Sequence, residues 1–293
     1  MSILLNLKKT KKKYGVGLLV YPSDNIPKWS YLFGACMIYK QLKSNKWFVD
    51  NCDVIVLTPI ITNKIVLNLI NKIFDGHAVY EHSLYMDNNF EQNKRWNGVF
   101  NKLYFWNSEV FNYKRFVLLD TDIFILDTSG YIKLFEQLID EDIAGVYENN
   151  HINKTNFNIN KFGLQIPDKF TRYVNTDNRT YYNMVNASVI SFKPNILTFN
   201  KMIADIKQGW DKTIENIPAL QGKKNTSFYP EQEYLTGLFS GKWKNLPFNE
   251  YCGNIRTKYH HGEFPTKYWN RLGGMIHGIV DPCKKFFEEY PQA

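Results

Sequence analysis

The amino-acid sequence predicts an α/β protein whose central, mainly parallel sheet is flanked by helices. Short apolar runs, typical of buried strands, alternate along the chain with segments whose apolar residues repeat at helical spacing. Such alternation is typical of parallel strands joined by helical crossovers. With 293 residues, of which 44% are hydrophobic, the chain is long enough and apolar enough to bury a sizeable core.

The predicted elements follow one another with few interruptions. In chain order we expect a strand at 14–21, a helix at 29–42, a strand at 53–58, helices at 63–74 and 98–111, strands at 115–119, 143–147 and 187–192, and a helix at 231–239. A polar, Asn-rich excursion over 148–183 takes no assignment. No repeat or linker divides the chain, so we predict one domain over 14–293, preceded by a basic tail over 1–13.

The formal net charge of +8 is concentrated near the start of the chain, where five lysines fall between residues 8 and 13. A lysine run before the first predicted strand is usually a solvated tail, and less often a contact for anionic lipid or polymer. The remaining cations are dispersed, without a basic helix face or an RNA-binding aromatic motif, so we expect no nucleic-acid partner.

The cysteines and the hydropathy pattern indicate the cellular compartment in which we expect the protein. The four cysteines form no CxxC pair, which argues against a zinc knuckle or a dense disulfide framework. No apolar run reaches the roughly 20 residues of a membrane span, and the apolar start is too short for a secretory signal. The sequence therefore predicts a cytoplasmic protein with reduced thiols and no transmembrane segment.

Two carboxylates follow directly after the apolar run RFVLL, in the triplet Asp120-Thr121-Asp122. Ligands of open α/β sheets bind outside the carboxyl ends of the strands, so both acids would project into that crevice. Spaced two residues apart, they can share one hard cation that keeps open positions for phosphate oxygens. A DxD triplet alone often just ends a strand, but here it interrupts an apolar run that continues as IFILD, where unpaired charge is costly.

Several segments together resemble glycosyltransferase family 8, the family of glycogenin. They are the FNKL of residues 100–103, FVLLDTDIFIL, the NAS of residues 186–188, Glu231-Gln232 and a late His277, spread over residues 16–285. The resemblance implies a GT-A fold and a UDP-sugar donor bound with Mn²⁺ or Mg²⁺. It also implies transfer of a hexose, glucose being our first choice, to an acceptor hydroxyl with retention of anomeric configuration.

Three residues match the family's metal ligands: Asp120, Asp122 and His277. Considered alone, His277 would more often be a satisfied core histidine. A cation held there would neutralise charge on the departing diphosphate. Either Lys284 or Lys285 would reach that diphosphate, although this stretch lacks the family's Lys-Pro-Trp.

Further positions match the family's donor-sugar contacts. Lys102 corresponds to a lysine facing the donor sugar and phosphates, although a lysine on an amphipathic helix is usually solvated. Tyr31 matches a tyrosine near the uracil, and a plain core role carries equal weight. Asn186 matches a sugar-contacting asparagine, with Ser188 in place of the family's glycine. Glu231 and Gln232 align with an Asp-Gln pair beside the anomeric carbon.

Two other readings remain open. The run FVLLDTDIF also resembles haloacid-dehalogenase-like phosphotransferases, whose first Asp is a nucleophile, but that family carries its motif near the start of the domain. The second alternative is a non-catalytic protein that binds anionic polymer or membrane through its lysine run. The sequence also leaves open a homodimer, the identity of the sugar, a glycan or protein acceptor (including a tyrosine of the chain itself), and double displacement against front-face attack.

Overall fold

A mixed β-sheet forms the centre of the computed structural model, which describes residues 3–21, 30–85, 98–121, 123, 125, 127–148, 157–172, 184–221, 230–247 and 251. The strands are β1 (Ile3–Leu7), β2 (Tyr14–Leu19), β3 (Cys52–Pro59), β4 (Gly76–Tyr80), β5 (Arg115–Leu119), β6 (Ile143–Glu148), β7 (Met184–Phe192) and β8 (Trp243–Leu246). Their order in the sheet is β1-β4-β3-β2-β5-β7-β6-β8.

The sheet combines a parallel centre with antiparallel additions. The neighbouring strands β4, β3, β2 and β5 run parallel, and β8 is parallel to β6. The antiparallel pairs are β1–β4, β5–β7 and β6–β7. The expected mainly parallel sheet is confirmed for this centre, while β7 reverses direction directly beside the strand that carries the acidic triplet.

Helices flank the sheet. They are α1 (Ser30–Lys43), α2 (Lys46–Asn51), α3 (Lys64–Ile73), α4 (Thr128–Glu136), α5 (Asp168–Thr171), α6 (Ile196–Gln208), α7 (Trp210–Asn216) and α8 (Pro230–Leu238), with 3₁₀ helices at Val99–Trp106 and Pro218–Leu220. Side-chain caps define where four of them begin: Asn45, Asn63, Asp127 and Asn195 each accept a hydrogen bond from a backbone N–H of the following turn. The predicted α/β class is therefore confirmed.

Two apolar cores lie on opposite faces of the sheet. Val54 and Val56 of β3 belong to one core, and Ile55 and Leu57 belong to the other, as the alternation of side chains along a strand requires. Both faces of the central strands are buried, which explains why they are apolar throughout rather than alternating. None of the helices in the described ranges is both long and apolar enough to cross a membrane.

The expectation of a solvated tail over 1–13 is wrong for the described part of that segment. Residues 3–7 form the edge strand β1, which pairs with β4. The backbone N–H of Lys8 donates to the Asp75 carbonyl at 3.0 Å, and that of Lys12 donates to Asp53 Oδ2 at 2.9 Å. Because lysines follow this short strand, the search for apolar runs did not identify it.

Several other predicted elements also differ from the helices and strands of the structure. The predicted helix at 98–111 is a shorter 3₁₀ helix, Val99–Trp106, every residue of which is buried. The sequence reading did not propose α2, β4, α4, α6, α7 or β8. Cys36 and Cys52 are buried and are not joined in a disulfide within the described ranges. Within the Asn-rich excursion the structure describes residues 157–172, which include the short helix α5.

Candidate active site

The acidic triplet begins where β5 ends, at the carboxyl edge of the parallel strands. Asp120 follows Leu119 directly, and its backbone N–H donates to the Ser188 carbonyl of β7 at 2.9 Å. This hydrogen bond continues the β5–β7 ladder by one residue and fixes the direction in which the aspartate leaves the sheet. The side chain of Asp120 keeps 26% of its surface exposed, so it lies at the rim of the crevice.

Helix α1 packs against the backbone of this turn. A Cβ atom added to Gly34 would lie 1.8 Å from the Thr121 carbonyl oxygen, a separation no side chain can adopt. Glycine is therefore required at position 34 for the helix to approach the turn this closely. Thr121 itself is buried. The backbone of Asp120 and Thr121 is thus held against β7 and α1, respectively.

Lys102 lies at the centre of the candidate site. Its Nζ is 2.6 Å from Asp120 Oδ1 and 2.7 Å from Glu231 Oε1, and only 9% of its side chain is exposed. The alternative in which Lys102 lies on a solvated helix face is therefore wrong. Burial alone lowers the pKa of Lys102, but the carboxylates of Asp120 and Glu231 outweigh it and raise the pKa above its ordinary value. Lys102 is consequently protonated at neutral pH.

Glu231 faces Lys102 from the first turn of α8 and is itself buried. Burial raises the pKa of Glu231, the Lys102 cation opposes that rise, and the nearby Asp120 adds to it, so the pKa remains above its ordinary value. A reading in which this acid only opens a helix is incomplete, because a capping acid is normally exposed to solvent.

Gln232 and Asn186 join α8 to β7. Gln232 Oε1 accepts a hydrogen bond from the Ala187 N–H at 2.9 Å, and its Nε2 contacts the sulfur of Met184. Asn186 Oδ1 accepts from the Ser188 N–H at 2.7 Å. Its Nδ2 is buried and, within the described part of the chain, has no hydrogen-bond partner. Both polar atoms of Gln232 are therefore engaged by the protein, whereas Asn186 retains a donor.

Tyr31 lies beside Tyr21, with ring centroids 4.9 Å apart and planes inclined by 36°. Burial raises the pKa of Tyr21, and Tyr31, Asp120 and Glu231 raise it further, so the pair lies within electrostatic reach of both carboxylates. Tyr21 was missed in the sequence reading. Its position just beyond the carboxyl end of β2, which is parallel to β5, is the signal that could have identified it.

Four predicted site residues lie outside the described residues: Asp122, His277, Lys284 and Lys285. In the described ranges no group of three His, Cys, Asp or Glu side chains is arranged to hold a metal ion. Asp120 nevertheless fits such a role, because only its Oδ1 is bound to Lys102 and no described residue donates to Oδ2. A carboxylate oxygen at the rim of a crevice is a ligand that hard divalent cations prefer.

No protein-family model matches the chain, and no curated protein sequence matches it. Among solved structures, galactosyltransferase LgtC in complex with donor and acceptor sugar analogues is similar over 78% of this chain and 72% of its own, with 15% identity and a TM-score of 0.43. Mouse xyloside xylosyltransferase 1 in its apo form is similar over 80% of this chain and 84% of its own, with 8% identity and a TM-score of 0.48.

A 4-diphosphocytidyl-2C-methyl-D-erythritol synthase from Anaerococcus prevotii DSM 20548 is also similar, over 80% of this chain and 86% of its own, with 12% identity and a TM-score of 0.39. Because all three TM-scores and identities are low, we draw no conclusion about function from these similarities.

Proposed function

We propose that this protein is a glycosyltransferase of the GT-A type, resembling family 8, that transfers a hexose from a UDP-sugar to an acceptor hydroxyl. The observation that carries the proposal is the contact of Lys102 with both Asp120 and Glu231, within 2.7 Å, at the carboxyl edge of the sheet. Lys102 and Glu231 are 129 residues apart in the chain. The family resemblance selected all three residues from separate motifs, and their convergence supports it.

The net charge of Lys102, Asp120 and Glu231 is suited to a divalent cation, which would in turn bind a diphosphate. One lysine against two carboxylates leaves a net negative charge at the rim, which attracts a cation. In the proposal Mn²⁺ or Mg²⁺ is held by Asp120, Asp122 and His277, with Asp120 Oδ2 as the ligand oxygen. When bound, such an ion neutralises the charge that develops on the departing UDP.

Lys102 has two roles in this proposal. It holds Asp120 and Glu231 in a fixed arrangement, and it presents a buried cation to the donor, where a charge excluded from water acts strongly. Tyr21 and Tyr31 would offer an aromatic surface next to the carboxylates, suited to the uracil ring. The unpartnered Nδ2 of Asn186 would donate to a sugar hydroxyl, which would satisfy a buried donor that otherwise costs free energy.

The geometry favours Glu231 over Gln232 as the side chain that acts at the anomeric carbon. Gln232 is bound through both polar atoms to β7, whereas the carboxylate of Glu231 faces Lys102, which its Oε1 contacts at 2.7 Å. In a double displacement the carboxylate of Glu231 would form the glycosyl intermediate. In front-face attack the leaving diphosphate would take the acceptor proton, and Glu231 would serve only to orient Lys102.

A donor-hydrolysis screen tests the proposal. UDP-glucose, UDP-galactose, UDP-N-acetylglucosamine and UDP-xylose are incubated with the protein, with and without Mn²⁺, and released UDP is measured. We expect Mn²⁺-dependent release from at least one donor, with UDP-glucose as the first choice, and an α-configured sugar product by NMR. No release from any donor, with or without added glycan acceptors, would contradict the proposal.

The same preparation separates the two alternatives. A haloacid-dehalogenase-like enzyme would hydrolyse a phosphomonoester and form a phosphoaspartate at Asp120, which mass spectrometry detects after acid quenching. A non-catalytic anion-binding protein would show neither reaction and no Mn²⁺-dependent stabilisation by UDP.

A further inference from the structure

The lysine run lies in a single turn that connects the edge strand β1 to the central strand β2. Its backbone is fixed on both sides: Lys8 N–H binds the Asp75 carbonyl at 3.0 Å, Lys12 N–H binds Asp53 Oδ2 at 2.9 Å, and Lys114 N–H binds the Lys13 carbonyl at 3.1 Å. A solvated tail would spread its charge over many conformations, whereas this turn holds its lysines on one part of the surface.

Most of these cations are exposed, although Lys11 Nζ lies 5.7 Å from the centroid of the Tyr113 ring and Lys13 Nζ lies 4.7 Å from that of the Tyr14 ring. Lys12 turns inward, where its Nζ binds the carbonyls of Val49 and Cys52. Exposed lysines at this end of the molecule, none of which forms an ion pair within the described ranges, are Lys8, Lys9, Lys11, Lys13 and Lys114. The two acids that bind the turn are already occupied, since Asp53 is buried and Asp75 pairs with Lys43 at 2.7 Å.

The turn lies at the opposite end of the sheet from the candidate site. Tyr14, the first residue of β2, is paired with Arg115, the first residue of β5, and Asp120 follows five residues later. At roughly 3.3 Å per residue the two ends are about 16 Å apart along the strand. The lysines of the turn therefore play no part in binding a donor at Asp120.

The turn contains lysines and no arginine, so it offers mobile point charges rather than the planar forks that read individual phosphates. Diffuse positive charge of this kind suits an anionic bilayer surface better than a nucleic-acid backbone.

We propose that this basic turn docks the protein on anionic lipid surfaces, with the candidate site at the other end of the parallel strands. The attraction is electrostatic, so it weakens as salt shortens the Debye length from about 30 Å at 0.01 M to about 8 Å at physiological ionic strength.

Vesicle sedimentation tests this proposal. The full chain is mixed with phosphatidylcholine vesicles with or without phosphatidylserine, at low and at high salt. The variant Lys9→Gln/Lys11→Gln/Lys13→Gln removes three exposed cations and keeps Lys12. The matched control Lys169→Gln/Lys207→Gln/Lys212→Gln removes the same charge from exposed positions on α5, α6 and α7.

We expect the wild type and the control to bind phosphatidylserine vesicles at low salt and to be released at high salt. The turn variant should bind at least about tenfold more weakly. All three proteins should retain any Mn²⁺-dependent UDP binding, so failure of the docking proposal is distinguishable from failure of the proposed function. Equal loss in the control, equal binding by the turn variant, or tighter binding of the wild type to duplex DNA than to vesicles would overturn the docking proposal.

Discussion

Lys102 is a buried cation whose two carboxylate partners come from distant parts of the chain. Such an arrangement is costly to break, because removing one partner leaves uncompensated charge out of water. It also allows two effects of substitution to be separated, since folding depends on the balance of charge, whereas in the proposed function donor chemistry depends on the cation itself.

Lys102→Met should lower the free energy of unfolding by about 3 kcal/mol, because Glu231 loses its buried partner. It should also reduce UDP-sugar turnover by at least about a hundredfold. The double variant Lys102→Met/Glu231→Gln should recover most of the stability and none of the turnover. Urea unfolding and released UDP measure the two effects, and full turnover in Lys102→Met would contradict the role assigned to this lysine.

Gly34 sets the position of the acidic turn without touching a ligand. In Gly34→Ala the new methyl group would meet the Thr121 carbonyl, so the backbone between Asp120 and Asp122 has to shift. We expect Mn²⁺-dependent UDP binding to weaken by at least about tenfold, because misplacing ligands by about 1 Å is costly.

The matched control is Gly130→Ala in α4, where an added Cβ has no neighbour within 4 Å. This variant should bind UDP normally and gain about 0.5–1 kcal/mol of stability from the better helix propensity of alanine. If Gly34→Ala binds UDP as tightly as Gly130→Ala does, the close approach of α1 has no functional consequence.

At the scale of elements, the pairing of β3 with β4 contains a titratable group. His77 of β4 is buried, and its Nε2 lies 2.8 Å from the Thr58 hydroxyl of β3. Burial lowers the pKa of His77 to about 4. The neutral, buried imidazole of His77 therefore stabilises the folded state relative to the unfolded chain, which binds a proton near pH 6.5. This contribution to the free energy of unfolding is fully present above pH 6.5 and is lost as the pH falls toward 4.

When the pH is lowered from 7 to 5, protonation of His77 in the unfolded chain should therefore reduce the free energy of unfolding of the wild type by about 2 kcal/mol. His77→Gln should lose less stability over this interval, even if it is less stable at pH 7. His82→Gln, which alters an exposed histidine, should retain the wild-type slope. Urea unfolding at both pH values measures the difference, and equal slopes in all three proteins would contradict the assignment.

The elements also show what the sequence could predict. The runs that became β2, β3 and β5 were recognisable because strands buried on both faces are apolar at every position. By contrast, β1 alternates between half-buried and exposed residues and leads into lysines, so its pairing with β4 depends on a partner about 70 residues away. The segment Val99–Trp106, a 3₁₀ helix, was predicted as part of an amphipathic helix, on which a lysine is usually solvated. Lys102 is buried because two carboxylates from distant parts of the chain contact it, and no local sequence pattern reveals these partners.

At the scale of the whole molecule, the two proposals concern opposite ends of the parallel strands. The carboxyl ends carry Asp120 and its partners, and the amino ends carry the basic turn. Family motifs predicted the first end, including the residues that converge on Lys102. At the second end the sequence revealed the lysine run but not its fixed position, because that depends on β1 joining the sheet and on backbone hydrogen bonds that hold the turn.

The most direct test of the proposed glycosyltransferase function is calorimetric titration of UDP into the protein with and without Mn²⁺. We expect the wild type to bind UDP only in the presence of Mn²⁺. Asp120→Asn should show no measurable UDP binding with or without Mn²⁺, because the variant loses a charged ligand oxygen. Asp140→Asn, which removes an exposed carboxylate elsewhere, should bind as the wild type does. Undiminished Mn²⁺-dependent binding of UDP by Asp120→Asn would contradict the account.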